Sequence, residues 1–116
     1  MCSIFSNIDP KLYASESRSV RLGGHVTSIR LEASFWRILE EIAATQEVSV
    51  GRLLTKLHDE LLAVDSGSAS FASLLRCACL TYVGRVRGNE AAEAELAAVA
   101  SRDFSPQEKM SARATA

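Results

Sequence analysis

The 116-residue sequence is poor in residues that break regular structure, with two prolines and six glycines. Charged residues make up 23% and apolar residues 47%, which excludes a disordered chain and points to an ordered, largely helical globule. No apolar run approaches the ~20 residues that a membrane helix needs. The N-terminus has no basic segment followed by an apolar core, so neither a membrane span nor a signal peptide is expected. Cysteines are few and odd in number: Cys2, Cys77 and Cys79. The last two are too close on a helix for an easy disulfide, and reduced thiols in the cytoplasm are the simplest reading. With His25 and His58 the only histidines, no metal-ligand spacing emerges and no cofactor is expected. No Ser/His/Asp set, Cys/His pair, carboxylate pair or phosphate loop stands at credible spacing, so an enzyme is the least expected class.

Net charge is also slight, at -1, and gives no announcement of a nucleic-acid partner. Its distribution says more. Between Ser17 and Arg30 the chain carries Arg18, Arg21 and Arg30, one histidine and no acid, whereas Glu90, Glu93 and Glu95 gather near the end. A locally basic arm on a near-neutral chain steers anions, though less strongly than a uniformly basic domain.

Three regions follow from the pattern: an arm over residues 1–17, a central domain over 18–86, and an Ala/Glu-rich tail over 87–116. The arm has a turn initiator at Asp9-Pro10 and scattered apolar residues (Ile4, Phe5, Ile8, Leu12, Tyr13). Gly23-Gly24 breaks the chain before a strand over Val26–Leu31, which places Thr27, Ile29 and Leu31 on one face and Val26, Ser28 and Arg30 on the other. From Glu32 the apolar period changes from two to about 3.6. A first helix over Ala33–Thr45 buries Phe35, Leu39, Ile42 and Ala43, with Trp36 supplying bulk to a core or its edge. Ser49 has the form of an N-cap for a second helix over Val50–Val64 carrying Leu53, Leu54, Leu57 and Leu61. Asp65–Ser68 ends it. A third helix opens near Ser70 with the cleanest apolar stripe (Phe71, Leu74, Leu75, Ala78, Tyr82, Val83, Val86), and Gly88 closes it. Asn89 starts a fourth helix that fades before Pro106, and residues 107–116 read as disordered. Cys77 and Cys79 fall on different sides of the third helix, one buried and one partly exposed.

One strand followed only by helices leaves a ladder of unpaired backbone groups. The least demanding partner is the same segment of a second copy, related by a two-fold axis. A homodimer with an intermolecular two-stranded ribbon is therefore expected, its core formed by Thr27, Ile29, Leu31, Phe35, Trp36, Leu39, Ile42, Leu53, Leu54 and Leu57.

The order Thr27-Ser28-Ile29-Arg30-Leu31-Glu32, then Phe35-Trp36, Leu39, Ile42-Ala43 and Val48-Ser49, resembles the ribbon-helix-helix proteins. More narrowly, it looks like a short bacterial group that continues into a helix resembling Ser70–Arg76. The wider family includes the Arc and MetJ type of β-ribbon readers, in which a two-stranded ribbon enters the major groove. The resemblance implies a mainly α fold: a ribbon-helix-helix with one or two additional C-terminal helices. It also implies that Val26, Ser28 and Arg30 contact bases, Arg30 by forking onto guanine. The opening of the second helix (Ser49, Val50, Gly51), with Arg52 beside it, would take a phosphate. Arg18 and Arg21 in the arm would hold adjacent DNA backbone.

Two functions fit. One is a sequence-specific transcriptional regulator, a repressor or antitoxin-like autoregulator that binds double-stranded DNA as a homodimer. Its C-terminal helices would extend the core, join dimers or bind a second protein. The other is an interaction module that keeps the fold only for dimerisation, which the near-neutral charge and the apolar Val26 favour.

Overall fold

The computed structural model describes residues 3–64 and 70–109. In chain order these form α1 (Ser3–Ser6), α2 (Pro10–Tyr13), β1 (Ser15–Leu22), β2 (His25–Glu32), α3 (Ala33–Thr45), α4 (Val50–Val64), α5 (Phe71–Thr81) and α6 (Glu90–Asp103). Between α5 and α6 the helix loosens into a π-helical turn, Tyr82–Val86. The architecture is mainly helical, with one two-stranded antiparallel sheet and two further helices after α3 and α4.

Capping explains where the helices start. The Ser49 hydroxyl accepts from the Arg52 amide at 3.2 Å, the Ser70 hydroxyl from Ser73 at 3.3 Å, and the Asn89 carbonyl from Ala92 at 3.1 Å. Each satisfies a first-turn N–H that has no acceptor within its helix. At the end of α3, Glu47 adopts a left-handed φ of 59°, and Val48 N–H returns to Ala43 C=O at 3.1 Å, an αL exit usually given to glycine. The chain then turns sharply enough to lay α4 beside α3. The stop at Asp65–Ser68 lies outside the described residues, as do Cys2 and residues 110–116. Disorder from Gln107 onward is corrected in part, because Pro106–Lys109 form a helical turn.

The ribbon requires a larger correction. Both of its strands belong to one chain: Ser15–Leu22 pairs antiparallel with His25–Glu32, from Ser15 opposite Glu32 to Leu22 opposite His25. Gly23 and Gly24 join them in a two-residue turn with φ of 57° and 83°. Positive φ at both central positions is the type I′ geometry, whose twist matches that of the flanking strands, and glycine adopts it without strain. One edge of β2 is thus paired within the chain, so the two-stranded ribbon forms inside one copy and not between two. The need to pair a lone strand no longer argues for a dimer, although the outer edge of β2 has no strand beside it among the described residues. The arm likewise ends at Ser15, where β1 begins.

One face of the hairpin closes the core. Val20, Leu22, Ile29 and Leu31 are buried against Trp36, Leu39, Leu53, Leu54, Leu75 and Cys79. Trp36 is at the centre rather than an edge: it is fully buried, and its indole N–H donates to Glu16 C=O at 2.7 Å. Phe35 and Leu57 pack against this cluster only partly buried. In the π-helical turn after α5, Tyr82 is buried while Val83 stays 39% exposed. Cys77 is exposed and Cys79 buried. The Cys79 thiol donates to Phe35 C=O at 3.6 Å, and burial pushes its pKa up to about 11. In a Cys2→Ser background, an alkylating reagent at neutral pH should therefore label Cys77 at least about a hundredfold faster than Cys79. Peptide mass spectrometry reads this directly. Equal labelling would mean that α5 does not sit on the core as described.

Candidate nucleic-acid interface

The pleat fixes what the hairpin shows to the outside. With Ile29 and Leu31 inward, Val26, Ser28 and Arg30 must point outward, and all three are exposed. Their cross-strand partners on the same face are Arg21 opposite Val26, Ser19 opposite Ser28, and Ser17 opposite Arg30. The outer face is therefore a strip of small hydroxyls with an arginine on each strand, Arg21 near the turn and Arg30 toward the open end. Ser17 and Ser19 were missed as site residues, although their alternation with Arg18 and Val20 is a period-2 signal. Among the described residues this face carries one acid, Glu32. Its carboxylate accepts from Arg76 Nε at 3.0 Å. Its own backbone N–H and then Arg76 hold it below the usual carboxylate range, so its charge is spoken for.

The turn end of the ribbon meets the start of α4. Thr55 on α4 donates its hydroxyl to Arg21 C=O at 3.1 Å, which ties the helix to β1. An open groove of about 490 Å³ results, lined by Arg21, Gly23, Gly24, Ser49, Gly51, Arg52, Thr55 and one acid, Asp59. Four of the six residues expected to hold phosphate (Arg21, Ser49, Gly51, Arg52) thus share one concave surface. The first-turn amides of α4 have no acceptors within the helix, and its dipole favours negative charge there. Val50 is different, because its side chain is half-buried against the core.

Arg18 is not part of this surface, and its expected role as a phosphate contact is corrected. Its position on β1 faces inward, opposite Ile29. The guanidinium lies 4.7 Å from the centre of the Trp36 ring and bonds Glu40 at 2.8 Å and Glu16 at 3.0 Å. Two carboxylates and an aromatic face hold it on this side of the hairpin. Arg18 fastens the hairpin to α3.

Thr27 has the inward register, as expected, yet it is exposed. It lies with Leu22, His25, Ile29, His58, Leu62 and Phe71 along a second open groove of about 580 Å³, which Ser28 and Arg30 also border at the β2 edge. Leu62 there is 51% exposed. The apolar side of the ribbon is thus incompletely covered by its own chain. Among the described residues no group of three or more His, Cys, Asp and Glu is placed to hold a metal ion. No helix among them is long and apolar enough to cross a membrane.

Residues 15–83 match the family model described as the ribbon-helix-helix domain. A solved structure of an uncharacterized protein from Bordetella pertussis Tohama I is similar over 94% of this chain and 86% of that one, with 38% identity and a TM-score of 0.72. No curated protein matches.

Proposed function

Because the chain belongs to the ribbon-helix-helix domain family, we propose that it is a sequence-specific DNA-binding regulator, a repressor or antitoxin-like autoregulator. The observation that carries this reading is the outer face of the hairpin: an exposed strip of hydroxyls and arginines running to the start of α4. A ribbon of two strands about 4.8 Å apart fits a major groove about 12 Å wide. Placed there, Arg30 has the fork geometry for guanine O6 and N7, and Ser28 accepts or donates to a base edge. Val26, 66% exposed, suits a thymine methyl. Arg21, Arg52 and the first amides of α4 then meet flanking phosphates, which set register without reading sequence.

The active unit is a homodimer, with the second copy covering the groove around Thr27, Leu62 and Phe71. A second reading keeps the dimer and drops the DNA. It draws on the same exposed Val26, apolar where a reader commonly has a polar side chain, and on the net charge of -1.

The test is binding of the purified protein to the duplex upstream of its own coding sequence and to random duplex, each at several salt concentrations. The regulator reading expects a preference of at least about a thousandfold, with log affinity falling linearly against log salt. Equal affinity for the two duplexes selects the interaction module. Light scattering on the same preparation should return twice the chain mass, and a monomer at micromolar concentration would sink both readings.

A further inference from the structure

We propose that Glu108 is an internal substitute for a DNA phosphate, so that the C-terminal segment latches the α4 end of the site and weakens DNA binding. This rests on the DNA reading of that surface. The Glu108 carboxylate makes an ion pair with the Arg52 guanidinium, bringing an acid from the tail onto the arginine that opens the groove.

The contact is built rather than incidental. Helix α6 is anchored by Ala100 and Phe104, 1% and 3% exposed within the core. Phe104 N–H bonds back to Ala100 C=O at 3.0 Å and ends the helix. Immediately afterwards Ser105 and Glu108 cap each other reciprocally. Ser105 N–H donates to Glu108 Oε1 at 3.1 Å, and Glu108 N–H donates to Ser105 Oγ at 3.2 Å. Such a box fixes the carboxylate in direction as well as place. One oxygen is held by Ser105 while the other reaches Arg52. The Ser105 amide first, and Arg52 after it, keeps Glu108 below the usual carboxylate range, so it is ionised at neutral pH.

A phosphate approaching the start of α4 finds its arginine already engaged by this carboxylate. Binding requires Arg52 to exchange Glu108 for the phosphate, or the Pro106–Lys109 turn to lift. Because the Glu108 side chain is 27% and the Arg52 side chain 49% exposed, although the Glu108 oxygen toward Arg52 is covered, the pair is a weak latch, not a block. Exposed pairs shift an equilibrium by up to about fivefold. The effect falls on phosphate contacts, so it should be the same for any duplex sequence.

The experiment compares full-length wild type with Glu108→Gln, Arg52→Ala and the double variant, on the upstream duplex and on random duplex at low salt. Glu95→Gln, the same charge change on an exposed position of α6, serves as control. Glu108→Gln should bind both duplexes about three- to fivefold more tightly, Glu95→Gln should match wild type, and the double variant should gain nothing over Arg52→Ala. If Glu108→Gln equals wild type while Arg30→Ala still weakens binding, the latch is refuted and the DNA reading stands. A gain that survives in the Arg52→Ala background, or appears equally in Glu95→Gln, also refutes it. If no variant binds either duplex, the DNA reading fails and the latch with it.

Discussion

Trp36→Ala should destabilise the fold by about 3–5 kcal/mol, the largest loss expected from any single substitution in this chain. The indole is fully buried and stands where three parts of the molecule meet. Its ring lies among core residues of the hairpin, α3 and α4, its N–H holds the Glu16 carbonyl at 2.7 Å, and Arg18 covers its face. Truncation leaves a cavity that the backbones of α3 and the hairpin cannot collapse together. It also removes a part-buried bond from α3 to β1 and the surface on which Arg18 rests. A domain of this size is stable by roughly 5–15 kcal/mol, so a large share of the margin would go. Thermal unfolding followed by circular dichroism should show a fall of at least about 12 °C. Trp36→Phe keeps much of the bulk and loses chiefly the hydrogen bond, so its cost should stay near 1–2 kcal/mol. A melting temperature for Trp36→Ala within a few degrees of wild type would contradict the placement of this residue.

Trp36 also shows how far local pattern reaches. The α3 and α4 helices were legible to the residue, because a change of apolar period marks where α3 begins and Ser49 caps α4. The outward set Val26, Ser28 and Arg30 followed from strand alternation alone. Strand β1 was not read. Its sequence, Ser-Glu-Ser-Arg-Ser-Val-Arg-Leu, has only two apolar residues and few β-branched ones, and its inward Glu16 and Arg18 look like solvated charges. Arg18 is tolerable on the core-facing side because Glu40 and Trp36, more than 17 residues away in sequence, neutralise and cover it, while Glu16 stays exposed beside it. No local window contains that compensation. One signal was present, namely two glycines between two alternating segments, the spacing of a type I′ hairpin. Reading Gly23-Gly24 as a break instead of a turn turned an internal ribbon into an intermolecular one. The Glu108–Arg52 pair was beyond reach for the same reason, since nothing near either residue names the other.

The hairpin separates two arginines that the sequence groups together, and the second large effect follows from that. Arg21 and Arg18 are three residues apart in one basic arm, yet the pleat sends Arg21 outward and Arg18 inward. Arg30→Ala should cost about 1–3 kcal/mol of DNA affinity and relax the preference for one base pair, as loss of a bidentate guanine contact does. Arg21→Ala should weaken binding alike for all sequences and reduce the salt slope by about one per site. Together, and counted twice in a dimer, the two substitutions should lower affinity for the upstream duplex by at least about a hundredfold. Arg18→Ala should leave that affinity within about twofold of wild type. Its cost should appear in stability instead, at about 1 kcal/mol, from the lost cation–π contact and exposed ion pairs. Fluorescence anisotropy at two salt concentrations, beside a thermal melt of each variant, separates the two losses. If Arg18→Ala weakens DNA binding as much as Arg21→Ala, the outer face has been wrongly assigned. If neither Arg21 nor Arg30 matters while wild type still binds, the ribbon is not the reading element. Affinity that follows Arg21 and Arg30, with stability that follows Arg18, is the pattern required of a hairpin whose inner face holds the fold and whose outer face meets the duplex.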